Sequence, residues 1–137
     1  MRAQQVRVRL RQTLDAHLRQ LGYSGVLKNQ TAPMPELVRI NPVRGRLAYG
    51  ETVSREDLQR ERCHERLRLF SQRRTRQRST ILFFIGVPEE DQSDLEKLLF
   101  ELDIRTGTRG GHVHVVPICD HSSAAEPRPS TARRARG

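Results

Sequence analysis

The chain has 137 residues, the length of one domain, with 25 Lys+Arg against 16 Asp+Glu and a formal net charge of +9. Hydrophobic residues make up 35%, aromatics 4%, and there is no Trp, which leaves too little apolar material for a second core. The longest apolar run, Ile81 to Ile85, is far below the ~20 residues of a membrane span. The N-terminus shows no apolar signal-peptide stretch, and Cys63 and Cys119 alone make no disulfide framework, so a cytoplasmic chain with no membrane partner is expected.

Apolar Val6, Leu10, Leu14, Leu18 and Leu21 recur at helical spacing and predict an amphipathic helix over residues 2–21, stopped at Gly22. Gly25, Pro33 and Pro35 punctuate the next segment, and Gly25-Val26-Leu27 is the bracketed short strand of the element order below. Glu36 to Ile40 reads as a strand, Asn41 to Gly45 as a turn, and Arg46 to Val53 as the returning strand of a hairpin. Ser54 is a good N-cap with Glu56 and Asp57 in the first turn, so a second helix should run to Gln72. Its inner face would carry Leu58, Cys63, Leu67 and Phe70, with Arg60, Arg62, Arg66 and Arg68 forming intrahelical pairs with Glu61 and Glu65. Cys63 reads as a small buried hydrophobe.

Ser79 to Ile85 is a short β-forming apolar run, as expected of a strand buried on both faces. Pro88-Glu89-Glu90 starts a third helix whose stripe is Leu95, Leu98, Leu99 and Leu102. His112 to Ile118 predicts a last strand. The implied fold class is α/β, a mixed central sheet with flanking helices in the order α-(β)-β-β-α-β-α-β. One domain over residues 1–118 is expected, succeeded by a disordered Arg-rich tail over 119–137.

The hairpin carries the most specific chemistry. Glu36 and Glu51 lie on strands joined by a tight turn, so antiparallel pairing would bring both carboxylates to one sheet edge, where hard cations such as Mg²⁺ find oxygen ligands. Salt bridges from Arg39, Arg44 or Arg46 would equally account for two such acids. The succession of a helix, Pro35-Glu36-Leu37-Val38-Arg39-Ile40-Asn41-Pro42, Gly45-Arg46-Leu47-Ala48-Tyr49-Gly50-Glu51-Thr52-Val53, a helix and a buried strand resembles the PD-(D/E)xK nuclease superfamily over residues 2–87. The resemblance implies a restriction-endonuclease-like fold and metal-ligating Glu36 and Glu51, with Glu36 standing for the family's Asp. The family Lys falls at Val53, which can serve neither the attacking water nor the phosphate, and Lys28 is the candidate substitute from the preceding segment.

A degenerate, nucleic-acid-binding member is the implied function, with DNA as the implied partner. An accessory protein–protein module on the same fold, contacting an unknown protein, is one alternative. An active Mg²⁺-dependent endonuclease using Glu36, Glu51 and Lys28 is the other.

Arginine supplies 23 of the 25 cations, Lys occurring only at Lys28 and Lys97. The planar guanidinium fork suits phosphate oxygens, although a GC-rich codon bias produces the same preference. Arg73, Arg74, Arg76 and Arg78 form a run without nearby acids and are the candidate phosphate contacts; a solvated linker flanking a β-prone strand has the same composition. His112, His114, Cys119 and His121 have the residue types of a Zn²⁺ site, without the spacing of a zinc finger.

Overall fold

A computed structural model of the chain describes residues 2–27, 32–75, 77–107 and 111–119. Lys28, Arg76 and residues 120–137 of the expected tail, His121 among them, lie outside the described residues. The elements are α1 (Arg2–Gln20), β1 (Gly25–Val26), β2 (Leu37–Ile40), β3 (Leu47–Thr52), α2 (Glu61–Gln72), β4 (Leu82–Pro88), α3 (Gln92–Glu101) and β5 (Val113–Ile118). They build the expected α/β architecture: a five-stranded mixed sheet in the order β1-β2-β3-β4-β5 with helices on both faces. The first three strands pair antiparallel, and β3-β4 and β4-β5 pair parallel, each across one helix.

Strand alternation sorts the core into two halves. Leu37, Ala48, Phe84 and Ile118 pack with Leu10, Leu14 and Leu18 of α1. Val38, Tyr49, Phe83 and Ile85 pack with Leu67 and Phe70 of α2 and with Leu95, Leu98 and Leu99 of α3. A strand buried on both faces is the expectation for β4, and its core residues divide between the two halves. Leu14 sits close over the sheet because β3 and β4 present Gly50 and Gly86 there; a Cβ on Gly50 would lie 3.2 Å from Leu14 Cδ2.

Three expectations need correction. The second helix does not run unbroken from Ser54: a 3₁₀ turn over Glu56–Gln59 gives way to extended Arg60 at φ −95°, ψ 128°, and only then to α2. Ser54 and Asp57 close a reciprocal pair at the start of that 3₁₀ turn, the Ser54 amide donating to Asp57 Oδ2 at 3.0 Å and the Asp57 amide to Ser54 Oγ at 3.3 Å. The strand placed at Ser79–Ile85 starts three residues later, because Thr75 holds the Ser79 amide in a tight turn at 2.9 Å. Leu21, placed on the inner stripe of the first helix, lies just beyond its end and is exposed. Among the described residues, no helix is long and apolar enough to cross a membrane.

Candidate functional site

Register explains why the two hairpin acids meet. Leu37 stands opposite Gly50, so Glu36, one residue before β2, reaches the same end of the sheet as Glu51 on β3. The contact is direct: the Glu36 amide donates to Glu51 Oε1 at 2.7 Å. Both side chains line a pocket of about 370 Å³ together with Arg7, Asp57, Arg62 and Arg66.

Glu51 is buried, and Arg66 of α2 closes on it with a two-bond fork, Nε to Oε2 at 2.9 Å and an Nη2 hydrogen bond to Oε1 at 2.8 Å. Arg66 Nη2 also donates to the Met34 carbonyl at 3.0 Å, which fixes the guanidinium in place. Burial raises the Glu51 pKa above its ordinary value even though Arg66 acts to lower it.

Glu36 is held differently. The Thr52 hydroxyl donates to its carboxylate at 2.8 Å, and Arg7 Nη1 of α1 reaches Oε2 at 3.3 Å. The same Arg7 pairs through Nη2 with Asp57 Oδ2, so one guanidinium bridges two carboxylates from different elements. Burial works against the Asp57 charge, but the Ser54 amide and Arg7 outweigh it and hold this carboxyl below its ordinary value. Arg7 is raised in turn; desolvation opposes its charge, and Asp57 and Glu36 overcome that opposition.

Chemically, the arrangement is an internal guanidinium–carboxylate network. The four carboxylate oxygens of Glu36 and Glu51 all accept hydrogen bonds, and Arg7 and Arg66 stand where a cation would neutralise the pair. Among the described residues, no group of three or more His, Cys, Asp or Glu is arranged to hold a metal ion. Val53, the residue two after Glu51, is 1% exposed and packs in the α2–α3 half of the core, where an ammonium would be buried without water. Cys63 borders the pocket, and burial pushes its thiol up to about 12, which disfavours the thiolate near neutral pH.

The described arginines of the basic run meet different surroundings. Arg73 folds over the Phe70 and Tyr49 rings, 5.4 and 6.0 Å from their centroids, and donates to the Pro33 carbonyl at 2.7 Å. Arg74 donates to Thr80 Oγ1 at 2.9 Å, and Arg78 is exposed. Of the C-terminal cluster, His112 bonds the Ser71 carbonyl through Nε2, His114 stacks on Phe84 with centroids 5.1 Å apart, and Cys119 is exposed. Burial, with His112 adding to it, lowers the His114 pKa.

Arg7, Asp57 and Arg66 are not legible as site residues. Arg66, expected in an intrahelical pair, reaches across to Glu51 instead; its place beside Cys63, Leu67 and Phe70 on the helix is the signal that it borders the inner stripe. For Arg7 no local signal exists, since its carboxylate partners are 29 and 50 residues away. Neither a protein-family model, nor a curated protein, nor a solved structure matches this chain.

Proposed function

We propose that this chain is a nuclease-like domain that binds nucleic acid without cleaving it. The observation that carries the reading is that the hairpin carboxylates share one pocket and their oxygens are taken by Arg7, Arg66, Thr52 and the Glu36 amide. The succession of helix, hairpin, helix and buried strand on which the nuclease resemblance rests is also the succession of elements here.

The residues present do not fit Mg²⁺. A hard divalent cation needs carboxylate oxygens open to it and adds its own charge, whereas this pocket already holds four arginines, Arg7, Arg60, Arg62 and Arg66, against Glu36, Glu51 and Asp57. With Val53 buried, no charged group stands at the family's Lys position to activate water or stabilise the phosphate. A net charge of +9 supports a polyanionic partner, DNA being the implied one.

The test has two arms. With Mg²⁺ and a large excess of protein over supercoiled plasmid, no nicked or linear product is expected; nicking that disappears in Glu51→Ala would overturn the reading. In EDTA, the protein is expected to retard duplex DNA, with affinity falling steeply as salt rises. No retardation at low salt would instead favour the protein–protein module, to be checked by a partner that survives nuclease treatment.

A further inference from the structure

Glu36, Glu51 and Asp57 each hold an arginine, so the pocket between α1 and α2 is not where the excess positive charge stands open. The opposite end of the sheet is different. Leu47 begins β3 and Leu82 begins β4, about 13 Å along the strand from Glu51, and two turns stand beside them. The β2–β3 turn is locked by Asn41, whose Oδ1 accepts from the Val43 and Arg44 amides at 2.9 and 3.1 Å and whose carbonyl accepts from the Gly45 amide at 2.7 Å. The turn before β4 is locked by Thr75, whose Oγ1 accepts from the Ser79 amide at 2.9 Å and whose carbonyl accepts from the Arg78 amide at 2.8 Å.

Between the two turns lies a groove of about 630 Å³, with Arg44, Arg46 and Arg78 along it beside the hydroxyls of Thr75, Ser79 and Thr80. Among the described residues, no Asp or Glu lines it, and these three arginines make no ion pair. Arg7, Arg19, Arg39, Arg55, Arg60 and Arg66 all do. Three cations gathered without a carboxylate repel one another, and an anion seated among them removes that repulsion. Thr75 and Thr80 accept hydrogen bonds from the Ser79 amide and Arg74, which leaves each its own O–H to donate. Arg78 holds φ at +66°, a left-handed conformation that glycine adopts more cheaply, so a guanidinium stands here despite the backbone. No aromatic residue lines the groove, which excludes the base stacking used by single-strand binders.

We infer that this groove is a phosphate-binding site for the backbone of double-stranded nucleic acid, contacted by Arg44, Arg46, Arg78 and the neighbouring hydroxyls without base readout. In taking nucleic acid as ligand the inference rests on the reading above; in location it departs from the Glu36–Glu51 pocket.

The test is fluorescence anisotropy of the full chain with a short random-sequence DNA duplex in EDTA, across a salt series. The variant Arg44→Ala/Arg46→Ala/Arg78→Gly is expected to bind roughly tenfold more weakly or worse, with a log K against log salt slope shallower by about 0.9 for each phosphate no longer neutralised. A charge-matched control, Arg11→Ala/Arg68→Ala/Arg105→Ala, removes exposed arginines elsewhere and is expected to stay within about twofold of the wild type. Arg78→Gly alone should melt at or above the wild-type temperature while binding more weakly, which separates affinity from folding and decides the matter if the triple variant does not fold.

If the groove variant binds as the wild type does, or no more weakly than the control, the groove is not the site and nucleic-acid binding lies elsewhere on the chain. Should the wild type ignore duplex, both readings fall. Binding to phosphatidylserine vesicles without binding to duplex would assign the groove to a lipid surface and overturn the inference.

Discussion

Arg66 and Glu51 form a two-bond pair at 2.8 and 2.9 Å in which the carboxylate is buried and the Arg66 side chain is 28% exposed. Removing one partner of such a pair strands the other charge away from water, which is far more damaging than replacing both by apolar groups of similar size. Arg66→Ala is therefore expected to lower stability by about 3 kcal/mol in urea unfolding, and Glu51→Met/Arg66→Met to recover most of that loss. If the double variant were as unstable as the single one, the pair would be a net stabiliser rather than a device that shapes the pocket. Asp57 gives a pH prediction. Its carboxyl is depressed in the folded state by the Ser54 amide and Arg7, so on acidification the unfolded chain takes up the proton first. The Asp57 contribution is thus complete above about pH 4 and is lost as pH falls through the folded value. Glu51 is shifted upward and has the opposite sign, its protonation favouring the folded chain and softening the acid limb. Asp57→Asn is expected to be less stable at neutral pH and to show a flatter decline below about pH 4, measured by urea titration at stepped pH.

At the scale of elements, α1 and α3 end in the same way. After α1, the Tyr23 amide reaches the Leu18 carbonyl at 2.9 Å and the Gly22 amide reaches Arg19 at 3.0 Å; after α3, Ile104 reaches Leu99 at 2.8 Å and Asp103 reaches Phe100 at 3.0 Å. Both are Schellman ends closed by an apolar contact in the core, Tyr23 with Leu18 in one half and Ile104 with Leu99 in the other. They differ in the residue carrying the left-handed turn: Gly22 at φ +100° in the first, Asp103 at φ +62° in the second. A glycine removes the Cβ strain at the second site, so Asp103→Gly is expected to raise stability by about 0.5–1 kcal/mol, read as a shift in urea midpoint at unchanged m-value. A loss of stability would mean that the Asp103 side chain contributes more than its backbone conformation costs.

Across the whole molecule, the two cysteines give a readout of global opening. Cys63 is half-buried beside the Arg7–Asp57 bridge with its thiol pushed up to about 12 by burial, whereas Cys119 is exposed past the end of β5. Near neutral pH, native protein is expected to take up one equivalent of a thiol reagent quickly and the second only at the rate of unfolding, while denatured protein takes up two at once. Fast double labelling of native protein would show that Cys63 is reached without global unfolding.

The element order was legible because each segment announced itself locally: the leucine spacing of α1, the turn residues Asn41 to Gly45, the unbroken apolar stretch of β4 and the Leu stripe of α3. The meeting of Glu36 and Glu51 was legible for a related reason, since a hairpin fixes register over a short distance in the chain. What neutralises those acids was not legible. Arg7 and Arg66 arrive on helices whose positions depend on how both faces of the sheet are covered, and periodicity says which side of a helix faces inward but not which distant residue it meets. The same holds for the basic turns: Arg78 belongs with Arg44 and Arg46 only because β3 and β4 begin side by side. The sequence by itself determined the elements, the hairpin and the excess of arginine, because those depend on spacing along one chain. Which arginines are spent on internal carboxylates and which stand open was decided by tertiary packing alone, because ion pairing depends on distance in space.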